Sequence, residues 1–305
     1  MIELRGLTKV FGSRRAVDDL TCSIEPGVVT GFLGPNGAGK STTMRMIVGL
    51  DRPTAGTATI GGRNYHALQQ PLRTVGALLD AGQVHPNRTA RNHLRWIAAS
   101  NRVSAKRVDE VLAMVGLTDV AGKKAGTFSL GMSQRLGIAA ALLGDPPVLI
   151  FDEPLNGLDP EGIRWVRTLT RTMADEGRTV FVSSHLLAEM ANIADRLVVI
   201  GRGKLIAAST MSDFLNRSDT VRVRSPRPDA LRDVLTRAGL RVHGDGAALL
   251  VSGGTIEQVG ELAAGHGVTL HELSPKPASL EEAYMELTDE SVDYRADYRP
   301  SGVPS

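Results

Sequence analysis

The sequence predicts an α/β protein with a mainly parallel sheet, carrying an antiparallel β subdomain and a helical subdomain and followed by a smaller α+β unit. Three apolar runs, "VVTGFLG", "PVLIFDEP" and "RTVFVSSH", read as buried strands separated by stretches of helical periodicity. The opening runs "IELRGLTKVF" and "AVDDLTCSIEPG" alternate apolar and polar residues and end at glycines, as strands of an antiparallel sheet do. After about Arg217 short strands and helices replace each other in quick succession, the pattern of a second, compact unit.

Taken in order, the two opening strands lead into "VVTGFLG" and then, across a glycine-rich loop, into the helix "GKSTTMRMIVGL". Turn residues in "DRPTAGTATIGGR" surround a short strand at Thr57 to Ile60. From Asn87 to Gly144 helices are expected near Thr89–Ser100, Ala105–Val115 and Leu130–Leu143. The strand "PVLIFDEP" precedes a helix from Pro160 to Glu176, and "RTVFVSSH" a short helix from Leu186 to Ala194. "RLVVIGRGKLIAAS" reads as a hairpin turning at Gly201–Gly203. Beyond a boundary at Asn216–Asp219, the segments "TVRVRS", "PDALRDVLTRAGL", "AALLVSG", "TIEQVGELAAGHG", "VTLHELS" and "SLEEAYMELT" predict a β-α-β-α-β-α unit. The expected organisation is residues 1–216 with a helical subdomain over about 87–135, an accessory α+β domain over 217–290, and a polar tail over 291–305.

Composition narrows the function classes. The 305 residues are 42% hydrophobic and 22% charged, which excludes overall disorder, and a formal net charge of +2 gives no electrostatic pointer to nucleic acid. The lone cysteine, Cys22, rules out an intrachain disulfide and reads as a small buried hydrophobe. "MIELRGLTKVFG" has charges where a signal peptide needs an apolar core, and runs such as "LGIAAALLG" fall short of the roughly 20 residues that span a bilayer. The chain is not expected to cross a membrane alone.

The loop "GFLGPNGAGKSTT" fits G-x-x-x-x-G-K-[ST] from Gly34 to Ser41, between an apolar strand and a helix. Glycine permits the dihedrals that point the N–H groups of Gly37, Ala38, Gly39 and Lys40 at a phosphate, and the helix N-terminus adds its positive end. Lys40 would bridge β- and γ-phosphates and Ser41 would give an oxygen to Mg²⁺. Pro35, Asn36 and Thr42 complete the loop. Asp152 and Glu153 close the apolar run "PVLIF". Neighbouring positions at a strand end point differently, so Asp152 can serve the metal and Glu153 can act as the base for an attacking water.

Further motifs follow the order of one family. "FSLGMSQR", Phe128 to Arg135, resembles the signature LSGGQ-x-Q-R of ATP-binding-cassette (ABC) ATPases, and "NGLDP" and "FVSSHLLAEM" resemble that family's D-loop and H-loop. Ser129, at a helix N-cap, and Gly131 would let that helix face an anion. The resemblance implies that this anion is the γ-phosphate of ATP held by a second copy, with Asp159 at the dimer seam. It implies that His185 contacts the γ-phosphate and steadies Glu153, and that Phe11 stacks on adenine.

Two departures stand out. Asp80 occupies the position of the family's Q-loop glutamine, with Gln83 three residues later, and is expected to approach Mg²⁺. Phe128, Leu130 and Met132 stand where Leu, Gly and Gln are commoner in the signature.

The combination of "NGAGKSTT" with "SLGMSQRLGIA" is similar to exporter ATPases of the daunorubicin- and bacitracin-resistance type. This implies an ATPase subunit at the cytoplasmic face of a membrane, peripheral to it, working as a homodimer or with a paired ATPase subunit. It would drive integral membrane permease subunits through the groove near Asp80 to Asn92, with ATP and Mg²⁺ as cofactors and no nucleic-acid partner. Three alternatives remain open: an importer ATPase, a soluble ribosome- or DNA-associated ABC protein, and a P-loop kinase or switch protein outside the family. The signature and His185 weigh against the last. The single P-loop and the lack of a coiled-coil insertion weigh against the soluble ABC proteins.

Overall fold

The computed structural model describes residues 1–80, 82, 84–215 and 220–275. Contacts divide the chain into two units, one over Met1–Ser209 and one beginning at Thr210. The boundary expected at Asn216–Asp219, the closing helix "SLEEAYMELT" and the tail lie outside the described residues.

The first unit is built on two sheets. Strands β1 (Ile2–Phe11), β2 (Arg14–Ile24) and β4 (Ala55–Ile60) form an antiparallel sheet in the order β2-β1-β4. The second sheet has the order β5-β6-β7-β3-β8-β9, from β3 (Val29–Leu33), β5 (Val75–Leu78), β6 (Val148–Phe151), β7 (Thr179–Ser184), β8 (Arg196–Gly201) and β9 (Lys204–Thr210). Its central pairings are parallel. Every residue of β3, β6 and β7 is buried, because helices or the other sheet cover both faces, and this explains their unbroken apolar runs.

Helix α1 (Lys40–Ile47) lies in the core that both sheets share. Met44 and Ile47 from the helix, Leu4, Leu7 and Leu20 from the small sheet, and Phe32, Ile150 and Phe181 from the large one belong to a single apolar cluster. The Phe32 and Phe181 rings meet at 5.0 Å. Burying each such side chain contributes about 1.5–3 kcal/mol.

The helical part comprises α2 (Pro71–Thr74), α3 (Ala90–Ser100), α4 (Ala105–Met114) and α5 (Leu130–Leu142), with α6 (Pro160–Asp175) and α7 (Leu187–Met190) following β6 and β7. Helices α3, α4, α5 and α6 start at side-chain caps, Thr89, Ser104, Ser129 and Asp159, each accepting from a backbone N–H of the first turn. The α7 helix is shorter than the stretch Leu186–Ala194 expected for it: Ala191 caps it and a turn through Asn192–Ala194 replaces the last part.

The second unit corrects the expected strand order. After α8 (Met211–Leu215) it runs β10 (Thr220–Arg224), α9 (Pro228–Arg237), β11 (Arg241–Asp245), β12 (Ala248–Ser252), α10 (Ile256–Gly265) and β13 (Glu272–Pro275). The described part is therefore β-α-β-β-α-β, not a strict alternation of strand and helix. All its pairings are antiparallel, in the order β11-β12-β10-β13, the split βαβ arrangement of ferredoxin-like folds. Leu231 and Leu235 of α9 and Val259 of α10 pack with Val221, Val223, Leu249 and Val251 of the sheet into a core of its own. Strand β13 begins at Glu272, later than the expected "VTLHELS", since Ser225 and Arg227 fasten Thr269 and Gly267 as loop.

Candidate functional site

The loop between β3 and α1 borders a cavity of about 450 Å³. Phe11, Arg14, Ala16, Asn36, Gly37, Gly39, Lys40, Ser41, Thr42 and Glu153 line it. The loop can take this path because two of its glycines have left-handed backbone, Gly37 at φ 83° and Gly39 at φ 105°. At Gly34 the reason is space: a Cβ there would stand 2.5 Å from the Ile200 carbonyl oxygen. Ala38 is buried and its N–H closes a turn onto the Pro35 carbonyl at 3.1 Å. The first-turn N–H groups of α1 have no partner within the helix, so that end of the loop offers donors to an anion.

Lys40 is only 6% exposed, and its Nζ donates to the carbonyls of Gly34 at 2.7 Å and Pro35 at 3.3 Å. It also lies 3.3 Å from Oε1 of Glu153. The other carboxylate oxygen of Glu153, Oε2, is 2.9 Å from Nδ1 of His185. Lys40, more than a hundred residues before the other two along the chain, forms one continuous polar contact with Glu153 and His185.

Glu153 sits in the left-handed region at φ 49°, a conformation that costs a non-glycine residue about 1–3 kcal/mol and persists where its surroundings dictate it. Its N–H donates to Ser183 Oγ at 2.9 Å, and its carbonyl accepts from Gln134 Nε2 at 2.9 Å and Asn156 N–H at 3.2 Å. Ser183 is fully buried and its hydroxyl also donates to Asp152 Oδ1, so one serine fixes both acids. The N–H of Asp152 is held by the Leu78 carbonyl at 2.8 Å.

Asp152 and Ser41 offer hard oxygens of the kind Mg²⁺ takes. Among the described residues no group of three or more His, Cys, Asp or Glu could cage a metal.

Phe11, at the end of β1, is 49% exposed and has Lys9 Nζ 4.8 Å from its ring centroid. Of the expected site residues, Gly34, Pro35, Ala38, Asp80, Ser129, Gly131, Asp152, Asp159 and His185 do not line the cavity, although Asp152 and His185 reach it through Ser183 and Glu153. Asp80 is exposed beyond β5 and its Oδ1 accepts from Gly82 N–H at 2.8 Å, while Gln83 lies outside the described residues. Ser129 caps α5, and Asp159 caps α6 with Oδ1 accepting from Gly162 N–H at 2.7 Å.

The structure brings the signature and the D-loop side by side within the chain. A Cβ on Gly131 would stand 3.3 Å from the Gly157 carbonyl oxygen, and one on Gly157 would collide with Leu130 at 2.1 Å. The departure at Leu130 thus has a place, over the bare backbone of Gly157.

Three residues escape a motif-by-motif reading: Arg14, Gln134 and Ser183. Gln134 and Ser183 lie inside quoted motifs, so proximity to them was the available signal. Arg14 faces Phe11 across the two-residue turn that joins β1 to β2, and its Nη2 would be 3.5 Å from a Cβ on Gly37.

Residues 17–156 match the family described as ABC transporter, and residues 219–281 match a domain of unknown function. The ABC transporter ATP-binding protein YhcH of Bacillus subtilis, itself uncharacterised, is 37% identical over 297 residues, which cover 96% of this chain and 97% of that protein. This chain belongs to the ATP-binding subunits of ABC transporters.

The bacitracin transport ATP-binding protein BcrA of Bacillus licheniformis is 37% identical over 297 residues, covering 94% of this chain and 97% of BcrA. A solved ATP-binding subunit of an ABC transporter matches with a TM-score of 0.64 and 27% identity over 70% of this chain and 91% of its own. A dimeric cassette in a post-hydrolysis state, bound to ADP and Pi, matches at 0.63 with 25% identity over 69% of this chain and 99% of its own. The P-loop cassette fold and the ATPase activity of the family are those of this chain. Among the described residues no helix is long and apolar enough to cross a membrane.

Proposed function

We propose that this chain powers the export of an antibiotic-type molecule through separate membrane permease subunits, hydrolysing ATP at sites completed by a second copy or a paired subunit. The observation that carries the reading is Glu153, held in left-handed backbone between Lys40 and His185 at the wall of the P-loop cavity. The name of the Nod factor export ATP-binding protein I of Burkholderia lata, 32% identical over 94% of this chain and 96% of that protein, supports export, and that of BcrA supports bacitracin transport.

In this reading the loop N–H groups and Lys40 bind the β- and γ-phosphates, and Phe11 stacks on adenine. Ser41 and Asp152 would hold Mg²⁺, and Asp80, in the loop after β5, would be a further oxygen ligand for it. When bound, the ion neutralises charge on the phosphate oxygens. The Glu153 carboxylate takes a proton from the attacking water while His185, in contact with Oε2, keeps it turned toward the γ-phosphate. Ser129 and Gly131 of one copy, at the start of α5, complete the site of the other by facing its γ-phosphate, and Asp159 lies at the seam. The subunit then works at the cytoplasmic face of the membrane.

Glu153→Gln separates binding from chemistry. The variant should bind a fluorescent ATP analogue with wild-type affinity and lose at least about 100-fold in steady-state turnover. Retained multiple turnover would remove Glu153 from the role of base. Copurification with a polytopic membrane protein that lacks its own P-loop tests the transport half of the reading.

A further inference from the structure

Gln134 joins the signature helix α5 to the backbone of Glu153. Its side chain is buried, with 5% exposure, and Nε2 donates to the Glu153 carbonyl. Oε1 of the same amide is buried with no partner, so the contact with Glu153 is what orients the group. Turning the amide over would set two oxygens against each other, which fixes the assignment of its ends. The remaining contacts on the Glu153 backbone come from Ser183 on β7 and from Asn156 in the turn that follows it. Gln134 is the one that comes from α5, about a turn and a half beyond the cap Ser129.

We propose that Gln134 is a positioning residue for Glu153: by holding the carbonyl it keeps a left-handed residue in the conformation that turns its carboxylate toward Lys40 and His185. The placement of α5 then decides two things together, where Ser129 stands and how Glu153 is aimed. This rests on Glu153 being the base of the reaction.

The test uses the purified full-length chain. Gln134→Met keeps the length of the side chain, removes the donor and leaves the carbonyl with the Asn156 N–H. ATP affinity, read with a fluorescent ATP analogue, should stay within about twofold, while kcat falls about 10- to 100-fold with little change in KM, as misaimed catalytic groups do.

Gln134→Glu adds a second readout. Its buried carboxyl can donate only when protonated, so its kcat relative to wild type at the same pH should rise as the pH is lowered from about 8 to about 6. A packing defect gives no such trend, and the trend decides alone if the Met variant does not fold.

An unchanged kcat in the Met variant, a loss of affinity as large as the loss of kcat, or a pH-independent ratio in the Glu variant would overturn the proposal. Glu153→Gln keeps the two failures apart. If it turns over normally, the base is wrongly assigned; if it is inactive and Gln134→Met is fully active, only the role of Gln134 falls.

Discussion

Lys40 donates to two loop carbonyls and stands beside one carboxylate, so the cation that is to grip phosphate is already surrounded by acceptors. Replacing it leaves those acceptors unpaired as well as removing a ligand for the nucleotide. Lys40→Ala should weaken ATP binding about 10- to 100-fold, the size of a lost charge-assisted hydrogen bond, in a direct titration. Unchanged affinity would count against the loop's role. The lysine, its glycines and Ser41 are legible in the sequence because a phosphate cradle needs those residue types at that spacing. The conformation of Glu153 is not legible, since it is imposed by Ser183 and Gln134, 30 and 19 residues away along the chain. Cys22 is only partly buried rather than enclosed as expected: it packs against the edge of the core, and burial pushes its thiol up to about 12.

At the scale of elements, β5 and α5 touch through a glycine. A Cβ on Gly76 would lie 2.0 Å from the Ala141 carbonyl oxygen, so the helix backbone rests directly on the strand. Gly76→Ala should cost about 1–3 kcal/mol of stability in denaturant unfolding and lower ATPase activity, because α5 must move and it carries both Ser129 and Gln134. A variant with wild-type stability would show that the helix can give way there. The buried strands β3, β6 and β7 are legible as apolar runs. Strand β11 is not: "RVHGD" has one apolar residue and is largely exposed at the edge of its sheet. The local signal for it is the two-residue turn Gly246–Ala247 that pairs it with β12, with Gly246 at φ 60°.

Among the described residues each unit has apolar packing of its own, one cluster between the two sheets of the first unit and one beneath the helices of the second. Leu235→Ala, which removes a fully buried side chain from the second core, should destabilise that unit by about 2–5 kcal/mol. In calorimetry its transition should fall to lower temperature while the ATP-dependent rise of the other transition is preserved. Loss of that rise would mean that the cores melt as one. The existence of a second unit was legible in the change of pattern after Arg217. Its ferredoxin-like topology was not, because strand order is set by long-range pairing that no local pattern records.

The cavity beside the P-loop has walls from both sheets of the first unit. Phe11, Arg14 and Ala16 come from the β1–β2 hairpin of the small sheet, and Gly37 to Thr42 from the loop and helix that leave the large one. A nucleotide lying there would span the gap between two pieces of the fold that are joined elsewhere by apolar packing around α1 and by a few polar contacts, such as Asp18 N–H to the Gly203 carbonyl at 2.8 Å. In the proposed reading its base is fastened to one and its phosphates to the other, so each cycle of hydrolysis and release would also untie and retie the body that carries it. The fuel is, for the time it is bound, a crossbeam.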